Sequence, residues 1–227
     1  MHHHLINLQG YTPFAMALNL AATSCWIFAY ILIVRNGYKN KFIDYPFFGA
    51  AGSLAWETLW SFVFKVDMGI LVDIGVKAWF AIDLVIFIGL VKYGSKQTSL
   101  PEIKRHYHPI LFAALFGWGA AFYAFVTQGF DTPVGGRSAL MLNLTFAICW
   151  LLQLWHNKNK THFMSLWVAL AKWWGTAFFV LFVILYTPDD RVSIVLGSLC
   201  FIVDLIYFLQ LKSIQAISSK ASPAAVS

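Results

Sequence analysis

Glu57 lies in the middle of the apolar run Pro46 to Phe64, and Asp204 lies in the equally apolar run Ser193 to Leu211. Each run is long enough to cross a bilayer. A charged or protonatable group at that depth is costly, so it is expected to face the interior of a helical bundle and to act there. Asp83, Asn143 and Lys172 complete the polar inventory of the apolar segments. These groups could pair with one another as interhelical glue, Lys172 with one of the acids. For Asn143, such glue and a hydrogen bond to a bound substrate fit the sequence equally well.

A neutral carboxylic acid in an apolar chamber can protonate a bound ligand, which makes Glu57 a candidate general acid. Aromatic rings stand around the acids: Trp56 precedes Glu57, Trp60 follows it by about one turn, Trp79 is one turn before Asp83, and Tyr207 is three residues after Asp204. Ring faces attract cations within about 6 Å, more strongly when the site is dry. Protonation followed by aromatic cushioning of a positive charge is the logic of cationic ring closure. Tryptophan also populates membrane interfaces, and Trp155 and Trp167, near the ends of apolar runs, read that way.

The elements that must position these groups follow from composition. Hydrophobic residues make up 59% of the 227, charged residues only 11%, and mean hydropathy is +0.68, so polar groups are too few to cover a water-facing surface. An all-α, polytopic membrane protein is expected, a bundle of seven transmembrane helices. The spans are Phe14 to Val34, Pro46 to Phe64, Ile70 to Val91, Pro109 to Thr127, Ser138 to Trp155, Met164 to Tyr186 and Ser193 to Leu211. At about 1.5 Å per residue the first reaches roughly 31 Å, a match for a hydrocarbon core of about 30 Å. Asp73 and Lys77 interrupt the third, whose solid apolar part begins near Ala78, so its first turns are expected at the interface.

Loop charge orients the bundle. Arg35, Lys39, Lys41, Lys92, Lys96, Lys104, Arg105, Lys158, Lys160, Lys212 and Lys220 fall on one side, and only Lys65, Lys77, Arg137 and Arg191 on the other. The positive-inside rule puts the N-terminus outside and the C-terminus in the cytoplasm. The net charge of +6 then needs no nucleic-acid partner, because basic loops facing anionic membrane lipid explain it. Residues 1–212 are expected to form one membrane domain and 213–227 a flexible cytoplasmic tail. The first apolar run is too long for a cleaved signal and reads as a retained helix.

Other residue types add little chemistry. Cys25, Cys149 and Cys200 all fall inside spans without metal or disulfide spacing and read as small buried hydrophobes. His2, His3 and His4, and His106 with His108, lack a carboxylate or cysteine to complete a metal set, so no metal site is expected. The glycosylation tripeptides Asn143 to Thr145 and Asn159 to Thr161 lie in a span and on the cytoplasmic side, where neither is used. Gly49, Gly52, Gly117, Gly119 and Gly175 read as close helix contacts.

Three motifs carry a family likeness: Leu54-Ala-Trp-Glu57 in the second span, Trp79-Phe-Ala-Ile-Asp83 leading to Lys92-Tyr-Gly94 in the third, and Phe201-Ile-Val-Asp204-Leu-Ile-Tyr207 in the last. Together, at these spans, the chain resembles the integral-membrane terpene cyclases of meroterpenoid and indole-diterpene pathways over nearly its whole length. The resemblance implies that Glu57 and Asp204 form the acid pair that opens a terminal epoxide on a prenyl chain and triggers ring closure. It implies a hydrophobic, prenylated small-molecule substrate and nothing for Asp83, Asn143 or Lys172. The chain has neither the Asp-x-Asp-Asp nor the Asp-Asp-x-x-Asp sequence of soluble cyclases, so no metal or organic cofactor is expected. An epoxide oxygen is far more basic than an alkene, which suits two separated carboxyls.

A small transporter or ligand sensor using buried carboxylates is the alternative. Transporters commonly break helices near the midplane, whereas here Pro13, Pro46, Pro101, Pro109, Pro133 and Pro188 all lie at span ends or in loops. A retinal protein is disfavoured, because the last span carries Asp204 and no lysine. A purely structural membrane subunit would tolerate loss of both acids.

Overall fold

A computed structural model describes residues 11–66, 68–98 and 100–221, with side chains as far as residue 218; His2, His3 and His4 lie outside it. The described chain is all helix: α1 (Pro13–Asn40), α2 (Phe47–Phe62), α3 (Ile70–Tyr93), the short α4 (Pro101–Arg105), α5 (Tyr107–Thr127), α6 (Gly136–His156), α7 (Leu166–Tyr186) and α8 (Arg191–Ala221). Six of these, all but α2 and α4, are long and apolar enough to cross a membrane. The second expected span is the exception, because α2 has only 16 residues. At about 1.5 Å per residue it measures roughly 24 Å, short of a hydrocarbon core of about 30 Å.

Local signals set the helix ends. Thr12 caps α1, its hydroxyl accepting from the Ala15 N–H at 3.1 Å, and Pro13 fills the first helical position, where its missing N–H costs nothing. Ser165 caps α7 in the same way. Helix α3 begins at Ile70, eight residues before the solid apolar part, because Asp73 and Lys77 pair at 2.7 Å one turn apart on its exposed face. Helix α8 continues to Ala221, through residues expected to begin the tail. A regular backbone needs only local hydrogen bonds there, which hydropathy does not report.

Contacts between helices trace a closed ring. α1 packs on α3 and α7, α3 on α2, α2 on α6, α6 on α8, and α8 on α7, while α5 lies outside against α2. That cover accounts for the burial of 10 of the 16 residues of α2. Its small residues make the approach possible. A Cβ on Gly49 would sit 2.2 Å from the Phe146 ring of α6, and one on Gly52 would sit 2.5 Å from Leu142. Gly175 meets Trp26 of α1 equally closely. Gly117 and Gly119 differ from expectation: on the outer helix α5 they face open space, with nothing within 4 Å.

Candidate functional site

The ring encloses a chamber of about 150 Å³. A single water needs only about 10–15 Å³ by the same kind of measure, so the cavity has room for several water-sized groups. Its wall is aromatic: Trp26 and Tyr30 from α1, Trp56 from α2, Trp79 from α3, Phe146 and Trp150 from α6, and Phe179 from α7. Ser53, Glu57, Asn143 and Lys172 are among the few polar groups on that wall.

Glu57 and Lys172 belong to separate clusters. Ser53, one turn before Glu57 on α2, donates from its hydroxyl to Asp83 Oδ2 of α3 at 2.5 Å. Glu57 is 4% exposed and Asp83 2%, and they lie within Coulombic reach of each other. Among the described residues, Glu57 Oε2 and Asp83 Oδ1 have no hydrogen-bond partner, and neither acid has a salt-bridge cation. Tyr30 borders this cluster and shares a 2.6 Å hydroxyl hydrogen bond with Tyr45 of the α1–α2 connection.

The second cluster joins α6, α7 and α8. Lys172 Nζ donates to Asp204 Oδ1 at 2.5 Å and stands 5.4 Å over the Trp150 ring. Thr176, one turn on from Lys172, donates to Asp204 Oδ2 at 2.8 Å and accepts from Asn143 Nδ2 at 3.1 Å. Both oxygens of Asp204 are therefore engaged. Lys172, not Asp204, lines the chamber.

The two clusters sit at different heights. α2 and α6 run antiparallel, with Gly49 against Phe146 and the Trp56 indole N–H donating to Ser138 Oγ at 2.7 Å. Glu57 adjoins Trp56 at the Ser138 level, and Lys172 lies at the Trp150 level. On α6 the two clusters are reached from Ser138 and from Asn143, five residues apart, about 7.5 Å along the axis at 1.5 Å per residue.

A loop closes the Ser138 end. Ser138 Oγ donates to Asp131 Oδ2, and Asp131 Oδ1 accepts from the backbone N–H groups of Thr132, Arg137 and Ser138. Gly135, at φ +70°, carries the chain past Trp56 and Trp60; a Cβ there would lie 2.6 Å from the Trp60 ring and 2.7 Å from Trp56.

Of the residues singled out from sequence, Trp56, Glu57, Trp79, Asn143 and Lys172 line the chamber. Asp83 lies within Coulombic reach of Glu57 but is not a lining residue, and Trp60 packs on Trp56 at 5.7 Å. Tyr207 is 2% exposed and lies against Trp150, outside the lining. Glu57 is brought together with Asp83, and Asp204 with Lys172. Trp26, Tyr30, Phe146, Trp150 and Phe179 are lining residues that sequence reading missed, since aromatics in an apolar run look alike whichever way they face. No group of three or more His, Cys, Asp or Glu side chains that could hold a metal occurs among the described residues.

A model of one protein family, the Pyr4-like transmembrane terpene cyclases, matches residues 6–216. The chain is a member of that family. As a Pyr4-like chain with six long apolar helices, it is an integral, multi-pass membrane protein. It is similar to terpene cyclase spyD of Aspergillus fumigatus, at 26% identity over 159 residues that cover 68% of this chain and 65% of the relative. It is also similar to the Pyr4-family terpene cyclase mfmH of Annulohypoxylon moriforme, at 26% identity over 68% of this chain and 63% of the relative. Terpene cyclase ascF of Acremonium egyptiacum matches at 27% identity over 51% of this chain and 42% of its own length. The Pyr4-like chain thus spans a little under two thirds of the length of the first two curated relatives. No solved structure matches it.

Proposed function

We propose that this chain is a membrane-embedded terpene cyclase in which Glu57 protonates the terminal epoxide of a prenylated substrate. The proton passes from the Glu57 carboxyl to the epoxide oxygen, one C–O bond breaks, and a hydroxyl and a tertiary carbocation result. Neighbouring alkene π electrons attack the cation in turn, each attack forming a C–C bond and moving the charge along the chain. Loss of a proton from the final cation ends the sequence, and the carboxylate left on Glu57 is a base of the right kind to take it. The net change is an isomerisation.

The observation that carries this reading is the placement of Glu57: it is the carboxyl on the chamber wall, without a salt-bridge cation among the described residues, and it shares that wall with the indoles of Trp56 and Trp79. Ring faces on the same wall stabilise a passing positive charge in a dry site. Family membership supports the same chemistry. The unbroken helices favour a fixed chamber over an alternating gate. On this reading the chain is one seven-span domain, α2 being a short span shielded by α5, with the N-terminus outside and the C-terminus cytoplasmic.

The test is expression in a membrane host supplied with farnesylated or geranylgeranylated epoxides, comparing wild type with Glu57→Gln. Removing a general acid costs about 10²–10⁴-fold, so turnover is expected to fall at least a hundredfold while the variant keeps its melting behaviour. Undiminished cyclisation by Glu57→Gln would overturn the assignment.

A further inference from the structure

A second cavity, of about 400 Å³, lies at the lysine-rich end of the bundle and, among the described residues, shares no lining residue with the chamber. It is bordered by the start of α2, the first turn of α5 and the last turns of α6. α5 and α6 both pack on α2, but neither packs extensively on the other, which leaves a groove between them. Tyr45 is the partition from the chamber. It borders the groove, its ring packs on Phe146 and Trp150 at 4.9 and 5.1 Å, and its hydroxyl is held by that of Tyr30 at 2.6 Å. A molecule seated in the groove is therefore kept from Glu57.

The groove asks for an amphiphile. Phe48 and Leu152 border it and are 42% and 53% exposed on the outside of a membrane bundle, so its mouth opens toward lipid tails. Its wall also carries two buried polar atoms without a hydrogen-bond partner among the described residues, the Tyr107 hydroxyl and Gln153 Nε2. Tyr107 is only 2% exposed, and its hydroxyl lies so close over Gly94 that a Cβ there would overlap it. Gln97, on the same wall, has its amide committed: it donates to the Ile43 carbonyl at 2.8 Å and accepts from the Ile43 N–H at 3.0 Å. A side-chain amide N–H can only donate, so Gln153 requires an acceptor, and a buried donor without one is costly.

The layer of a membrane rich in acceptors and poor in donors is the glycerol ester level, just below the phosphates. Gln153 stands about one turn before the end of α6. Lysines surround that end of the groove: Lys96 precedes Gln97, Lys104 follows Ile103, and Lys160 Nζ donates to the Gln97 carbonyl at 3.2 Å. Cations at this level complement a lipid phosphate. We propose that the groove is a binding site for one glycerophospholipid. An acyl chain lies along Phe48 and Leu152, an ester carbonyl accepts from Tyr107 and Gln153, and the phosphate sits among the lysines.

The site is separate from the cyclase reading, and its test needs no turnover. The full chain, stripped of lipid in detergent, is titrated with dioleoylphosphatidylglycerol and with its diether analogue, which keeps the chains and the phosphate but lacks the ester carbonyls. Retained lipid is counted by native mass spectrometry. Wild type is expected to hold one diester molecule and to bind the diether about tenfold more weakly, the effect of losing one or two hydrogen bonds. Tyr107→Phe/Gln153→Leu is expected to bind both lipids as weakly as wild type binds the diether. Cys149→Trp, which fills the groove with a larger side chain, is expected to lose the retained lipid. The wild-type comparison involves no substitution, so it decides even if a variant misfolds. Equal affinity of wild type for diester and diether overturns the proposal, and so does a double variant that still prefers the diester. A prenylated phenolic epoxide that displaces the diester one for one at lower concentration would overturn it too, giving the groove to the substrate.

Discussion

Glu57 and Asp204 carry the same functional group in opposite surroundings. Glu57 shares its end of the chamber with another carboxyl, and Asp204 is saturated by an ammonium and a hydroxyl. Burial was legible for both, because an acid in an apolar run is expected to turn away from lipid, and both side chains are buried. Which partner each meets was not, because hydropathy reports how deep a side chain lies and says nothing of its bearing around the helix axis. Ser53 shows what that hides: a small hydroxyl residue in a run of glycine and alanine, it is the donor that joins α2 to Asp83. Ser53→Ala strips a buried acceptor of its partner and is expected to destabilise the protein by about 1–3 kcal/mol, read as a lowered melting temperature in detergent, while Ser53→Thr keeps the hydroxyl and most of the stability.

Among the helices, α2 is the one that sequence length misjudged and sequence composition got right. Its small residues announced close contact, and Gly49 and Gly52 meet α6 side chains closely, but its true ends fall inside Pro46 to Phe64. The connection into α2 carries a fourth buried acid, Asp44, which lies outside the helices and was not anticipated. Asp44 Oδ2 accepts from the Ser165 N–H at the start of α7 at 3.1 Å. Burial pushes the Asp44 carboxyl up to about 7, against the opposing pull of that N–H and of Trp150. The folded chain thus holds a proton between about pH 4 and 7 that the unfolded chain has released, so this contribution to stability is present below about pH 4 and is lost as pH rises toward 7. Melting temperatures in detergent between pH 5 and 8 are expected to show that decline in wild type, flattening above 7, and to lose it in Asp44→Asn. An unchanged profile in the variant would place the titrating group elsewhere.

For the molecule as a whole, composition alone disclosed a membrane bundle, and the helices follow the apolar runs to within a few residues at most ends. Their arrangement as a ring with α5 outside could not be read, since every long helix is apolar around much of its circumference and offers no single face to assign. Orientation belongs to this scale too. With α2 crossing, reporters fused to the two termini are expected on opposite sides of the membrane, the C-terminal one accessible from the cytosol; finding both on one side would reduce α2 to an internal helix. The chamber's far end is closed by a turn, where Asp131 gathers three backbone N–H groups and the Ser138 hydroxyl that seats Trp56. If the proposed chemistry holds, the wall that would shape a flexible substrate is tied down at this turn, so substitutions in a surface loop would alter the skeleton of the product while leaving Glu57 in place.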